Sequence, residues 1–287
     1  RLADALDMSK LAYLSYNIPK RLDPERKGNV TKYRFYKISF LVNDDAKAKG
    51  INIGLPWFWY RYGPVALDES LPAGMIKIVP KTYDVYSKVY YGDEPKCKLT
   101  DEERALIDSL IDKYGRYTTR ELKEDAYSRI CNPFLGDLLD FDEHVQRLST
   151  LQDIPDEERE ELIDELDSIE ANFPDEGFEE VRTESAMLFP ILRHFIDRDV
   201  ERLKINASLV SKFRLLVVTK AALYYNENLA PSLLESKRRH LDLQKDEWRT
   251  ILRDLNTQAY SHPCPDHERS PLAESMMKFS HDRAVGD

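Results

Sequence analysis

Apolar positions recur at intervals of three and four along most of this chain, a spacing that predicts helices. Leu2, Ala5, Leu6, Ser9, Ala12, Tyr13 and Tyr16 mark a first helix over residues 2–16. A turn-rich segment runs from Ile18-Pro19 to Asn29, and Phe35, Ile38, Val42 and Ala46 then form the stripe of a second helix over 31–49. Met75-Ile76-Lys77-Ile78-Val79 alternates and predicts a strand that Pro80 stops. The tyrosine-rich residues 83–91 supply either another short strand or an aromatic-lined loop.

Two capped helices follow. Thr100-Asp101-Glu102-Glu103 is a capping box, in which the threonine oxygen accepts from an orphan backbone donor and Glu103 reaches back. Leu106, Ile107, Leu110, Ile111 and Tyr114 make the apolar face of the helix it opens, with Gly115 placed to terminate it. Thr118-Thr119-Arg120-Glu121 repeats the signature for a helix through Leu122, Ala126 and Ile130, ended by Asn132-Pro133. The short turn between them predicts a helical hairpin or a helix-turn-helix-like pair.

Beyond it, residues 153–169 read as an acidic helix with a narrow face of Leu162, Leu166 and Ile169. A long helix starts near Thr183, is interrupted or kinked around Pro190 and runs towards Leu203. Residues 209–225 read as a buried helix, and Ala230-Pro231-Ser232 opens a last one striped by Leu241, Trp248, Leu252, Leu255 and Ala259. From Ser261 the prolines and mixed charge predict a tail.

One stretch fits neither period. Leu55-Pro56-Trp57-Phe58-Trp59-Tyr60-Arg61-Tyr62-Gly63-Pro64-Val65 sets five rings almost side by side. An extended backbone places Trp57, Trp59 and Arg61 on one side and Phe58, Tyr60 and Tyr62 on the other, with Gly63-Pro64 ending the segment. Two readings are open: a strand buried on both faces, or a partly exposed aromatic ledge for a protein partner, since Trp, Tyr and Arg are the usual interface anchors.

Charge adds an asymmetry. Residues 153–180 hold fourteen Asp and Glu against Arg159, or −13; the whole chain carries −10, so the remainder is +3. Near the start Lys20, Arg21, Arg26, Lys27, Lys32, Arg34 and Lys37 face only Asp23 and Glu25, a solvated loop or a surface for nucleic-acid phosphates. No apolar run approaches membrane-spanning length. Cys97, Cys131 and Cys264 are far apart and unpaired in spacing, which fits a reducing cytoplasm.

Candidate chemistry is sparse. Glycine-rich phosphate loops, Gly-x-Ser-x-Gly and His-Glu-x-x-His are absent. His262-Pro263-Cys264-Pro265-Asp266-His267 lacks the second ligand pair of a structural zinc site, so no metal or cofactor is expected. His194 with Asp197, and Asp140, Asp142 and His144, are groupings common on charged helices. No catalytic residue is assigned.

Lys10-Leu11-Ala12-Tyr13-Leu14, Tyr36-Lys37-Ile38-Ser39-Phe40-Leu41, Tyr60-Arg61-Tyr62-Gly63-Pro64-Val65 and Leu99-Thr100-Asp101-Glu102-Glu103 occur in that order, followed by Tyr114-Gly115-Arg116-Tyr117-Thr118-Thr119-Arg120-Glu121-Leu122. This succession, over roughly residues 8–135, resembles the Panacea (SocA-like) domain and the related YwgA-like bacterial and archaeal proteins. The family's His-x-x-x-x-x-Trp type ending is replaced here by Ala126-Tyr127-Ser128-Arg129-Ile130. The resemblance implies a mainly helical domain with a small β element, in antitoxins and proteolytic adaptors that bind and neutralise a partner without turning over a substrate.

The expectation is therefore a mainly α protein with a small β element: a helical N-terminal domain over 1–148, an acidic helix and linker over 149–180, a C-terminal helical domain over 181–260 and a tail over 261–287. Its function is to bind a protein partner, in the antitoxin case a toxin, through Trp57, Trp59, Tyr60, Arg61, Tyr62, Gly63 and Pro64. The alternatives are a DNA-associated regulator using Lys20, Arg21, Arg26, Lys27, Lys32 and Arg34 with the helix pair, or an enzyme of unrecognised type.

Overall fold

The capping signatures start helices in the structure, a computed structural model that describes residues 8–80, 87–130 and 132–261, with side chains through residue 255. Thr31 Oγ1 accepts from the Arg34 N–H and opens α2 (Lys32–Ala48). Thr100 and Glu103 form the full capping box of α3 (Asp101–Gly115). Thr118 repeats it for α4 (Thr119–Ile130), its N–H donating to Glu121 at 2.6 Å while Glu121 N–H donates to the Thr118 hydroxyl at 3.2 Å. Each box satisfies backbone donors that the first turn leaves unpaired. The architecture is mainly α with a small β element.

The chain divides into two compact units, Arg1–Cys131 with Ala222–Leu234, and Asn132–Ala221 with Glu235–Asp287. In the first, α2 is buried around most of its circumference: every residue from Phe35 to Asn43 is buried. Against it lie α1 (Met8–Leu22), α3 and α4, which contribute Leu11, Leu14, Ile18, Ile107, Ile111, Tyr114, Leu122 and Ala126 to the core.

Several expectations need correcting here. α1 does not stop at residue 16; it continues through Pro19 to Leu22, because Ile18 and Pro19 are buried and prefer the packed helical face to a solvated turn. The loop begins at Asp23, whose carboxylate collects the N–H groups of Lys27, Gly28 and Asn29 at 2.9, 2.7 and 3.2 Å. Residues 2–7 of the expected helix lie outside the described residues. Gly115 ends α3 without a left-handed backbone; it is where a Cβ would stand 2.3 Å from Leu22 Cδ2, so close helix approach is what its small size serves.

The aromatic stretch is not one extended piece ended by Gly63-Pro64. It is a hairpin: β1 (Trp57–Tyr60) turns at Arg61-Tyr62 and returns as β2 (Gly63–Ala66), with Tyr60 opposite Gly63 and Trp57 opposite Ala66. Gly63 takes φ +93°, a conformation open to glycine and costly to other residues, and this lets the return strand start at once. The third strand of this sheet is β5 (Asn226–Glu227), antiparallel to β1 and supplied from a remote part of the chain. β3 (Ile76–Val79) and β4 (Lys88–Tyr91) form a separate antiparallel hairpin.

The second unit starts at α5 (Pro133–Ser149), so the expected boundary at 148 falls one helix late. Leu135, Leu138, Leu139, Val145 and Leu148 are buried, and α5 packs against α6 (Asp156–Ala171). α6 is the expected acidic helix, but not a linker: Leu162, Leu166 and Ile169 are fully buried. α7 (Glu179–Arg198) carries Pro190 within it and breaks instead at Asp199, whose carboxylate then caps α8 (Val200–Ile205) by accepting from the Arg202 N–H at 3.2 Å. α9 (Ala207–Tyr224) and α10 (Pro231–Ser261) complete the described helices; Phe213, Leu241, Trp248 and Leu252 are buried in this unit. The tail from residue 262 lies outside the described residues. Among the described residues no helix is long and apolar enough to cross a membrane.

Candidate functional site

The hairpin splits the expected ledge into a root and a tip. Trp57, Phe58 and Trp59 are 8%, 3% and 2% exposed, whereas Tyr60 and Tyr62 are 45% and 46% exposed. Trp57 meets Phe40 edge-on at 4.7 Å between centroids and donates its indole N–H to Glu227 at 3.1 Å. Trp59 meets Tyr127 edge-on at 4.7 Å, and its backbone N–H donates to the Tyr225 carbonyl at 3.0 Å. Gly63 and Pro64 are buried; Arg61 is exposed, its guanidinium 5.8 Å from the Tyr60 ring centroid. The aromatic period-two pattern holds for β1 alone. Beyond Tyr60 the chain has turned, so Tyr62 does not share a strand face with Phe58.

Under the tip lies Lys37, the last of the basic residues clustered near the start of the chain. It is 1% exposed, and its Nζ donates to the Tyr62 carbonyl and to the Pro64 carbonyl at 3.2 Å. Burial holds this amine well below the ordinary lysine range, and the nearby Lys123 ammonium pushes the same way. A Cβ on Gly63 would stand 2.7 Å from Lys37 Nζ and 3.0 Å from Tyr127 Cε2. Glycine is thus required twice, by φ and by space. The signal available in the sequence was the uninterrupted apolar setting of Lys37 in α2, which marks a helix buried on all sides.

A second cluster ties the supporting helices. Asp45 on α2 accepts from the Tyr114 hydroxyl at 2.5 Å, Lys113 at 3.2 Å and Arg129 at 2.7 Å, while Arg129 also reaches Asp44 at 2.5 Å and Asp125 at 3.0 Å. Burial and the Asp45 hydrogen bond push the Tyr114 hydroxyl up to about 12. Burial alone would raise Asp45, but its hydrogen bonds from Tyr114, Arg129 and Lys113 outweigh that and hold the carboxyl below its ordinary value.

Within their own unit Arg21, Lys27 and Lys32 pair with carboxylates, whereas Arg26 and Arg34 donate to neutral carbonyls. Lys20 donates to the Tyr16 hydroxyl at 2.9 Å, and Arg21 pairs with Asp108 and Asp112 at 3.2 and 2.5 Å. Arg26 donates to the Tyr91 carbonyl at 3.0 Å and lies 4.3 Å over its ring. Lys27 pairs with Glu25, Lys32 with Asp68 at 2.5 Å, and Arg34 donates to the Gly115 carbonyl at 2.5 Å. The three carboxylate-paired cations project less field towards a polyanion than the others.

Asp140, Asp142 and His144 do not form one cluster. Asp142 is buried and binds Ser211 and Arg214, each at 2.6 Å; His144 faces α6 instead; Asp140 is exposed. His194 and Asp197 are both exposed, and the residues 262–267 lie outside the described residues. Compared with protein families, with curated proteins and with solved structures, the chain shows no match.

Proposed function

We propose that this chain is a cytoplasmic, non-enzymatic protein-binding module of the antitoxin or proteolytic-adaptor kind, and that Tyr60, Arg61 and Tyr62 anchor its partner. One observation carries the reading: two half-exposed phenol rings flank an exposed guanidinium on a turn whose root is buried and whose underside is held by Lys37. Tyr side chains, with two rotatable angles, lose little entropy on docking, and Tyr and Arg are among the residues enriched at binding hot spots. Trp57 and Trp59 act as the root and not as contacts. The partner that suits this tip has an apolar cleft rimmed by carboxylate. The antitoxin or adaptor class rests on the resemblance to the Panacea domain.

The test is capture of a partner protein from lysate of the source cells by the tagged, full chain. Tyr60→Ala/Tyr62→Ala, folded by circular dichroism, is expected to lose capture; capture equal to that of the unsubstituted chain would remove the tip from the account.

A further inference from the structure

His144 on α5 is 8% exposed, and both of its ring nitrogens face carboxylates on α6. Nδ1 lies 3.0 and 3.1 Å from the two Glu165 oxygens, and Nε2 lies 2.8 Å from Glu158 Oε2. A neutral imidazole has one N–H and one lone pair. With the Nδ1 proton given to Glu165, the Nε2 lone pair confronts a carboxylate oxygen, an arrangement that needs a positive charge to be stable. Glu161, one turn beyond Glu158 on the same face, brings a third donor: ligand atoms of His144, Glu158 and Glu161 all lie within 4.8 Å of one another. A buried imidazole is what sets this cluster apart from an ordinary acidic helix face.

We propose that His144, Glu158 and Glu161 bind a divalent transition-metal ion of the zinc class, with Glu165 orienting the imidazole. One nitrogen and two carboxylate oxygens form a donor set that zinc accepts, leaving a fourth position for water. Metal-ligating histidines characteristically donate their second ring N–H to a carboxylate, the role Glu165 takes here. Ligands at about 2.0–2.2 Å from a tetrahedral ion stand roughly 3.4 Å apart, so the His144–Glu158 pair opens by less than about 1 Å to admit one. Burial pushes the Glu165 carboxyl above its ordinary range and His144 opposes this, while Glu161 and Asp140 add to the rise. The opposing charge is Arg147, whose guanidinium nitrogens lie 2.9 and 3.3 Å from Glu158 oxygens and compete with an ion for that carboxylate.

The test titrates zinc chloride into the full chain by calorimetry after chelator treatment, in a His262→Ala/Cys264→Ser/His267→Ala background so that the C-terminal cluster contributes nothing. One ion per chain is expected. Glu161→Gln changes an exposed residue and weakens binding by at least about tenfold, and Glu165→Gln by roughly 10- to 100-fold. Arg147→Ala tightens binding, because it removes the competing cation. With cobalt(II), the visible bands of a nitrogen–oxygen site appear and are lost in His144→Ala. Absence of saturable binding, or affinity indifferent to both Glu161→Gln and His144→Ala, overturns the proposal. The cluster is then a hydrogen-bonded clasp between α5 and α6.

Discussion

Lys37 Nζ lies 3.2 Å from the carbonyl oxygen of Pro64 and donates to that of Tyr62 as well, so a side chain of α2 grips the hairpin tip from beneath. Carbonyls facing a core need such a partner, since a buried acceptor left unmade costs about 1–3 kcal/mol. The grip also explains how a turn built from exposed rings keeps one shape.

Lys37→Met is therefore expected to speed amide exchange at Gly63 and Val65 without melting α2. Exchange rates unchanged at those positions would show that the strand pairing alone holds the tip.

The same amine links stability to pH. Its folded value lies well below the 10.5 of an unfolded lysine, so between the two the unfolded chain holds a proton that the folded chain does not. The destabilisation from this one amine is absent above 10.5 and grows as pH falls through that window towards the lowered folded value, by up to about 1.4 kcal/mol per pH unit. Urea unfolding at several pH values between neutrality and about 9.5 should show this slope, and Lys37→Met should flatten it.

Gly63→Ala meets both a φ of +93° and Lys37 Nζ. A loss of more than about 1 kcal/mol is expected from thermal or urea unfolding. A neutral result would mean that the turn relaxes without cost.

Root and tip should part company under mutation. Trp59→Ala empties a core site and should cost about 3–5 kcal/mol, while Tyr60→Ala and Tyr62→Ala should stay within about 0.5 kcal/mol yet abolish partner capture. Equal stability losses at Trp59 and Tyr62 would contradict the division.

Asp45 governs the acid side. Its folded value is below the unfolded 3.8, so its contribution is present above that value and fades as pH falls through the folded one. Asp45→Asn should weaken the protein at neutral pH and make its stability less dependent on pH below about 4, read from acid unfolding curves.

Helices were legible because their signals are local. Thr100 and Thr118 with their glutamates, and the stripe of Leu162, Leu166 and Ile169, declare a start and a buried face within a few residues. Pro19 was misleading for the same reason: read locally it starts a turn, whereas α1 stays helical through it with Ile18 and Pro19 buried, and α7 likewise runs through Pro190 without interruption. The hairpin was half legible. Five adjacent rings announced something other than a helix, but the reversal at Arg61-Tyr62 depends on pairing partners that neighbouring residues do not name.

Taken alone, the amino-acid sequence determined the helical class, the capped starts, the acidic face of α6 and the singular character of the aromatic stretch, since each follows from propensity and period over one or two turns. Tertiary structure alone decided which rings are buried, because β5 arrives from residues 226–227 to close the sheet on one side of β1 while Lys37 is brought under the tip from α2. It likewise decided that His144 faces Glu158, Glu161 and Glu165, because two helices must pack before a histidine on one can meet three carboxylates on the other.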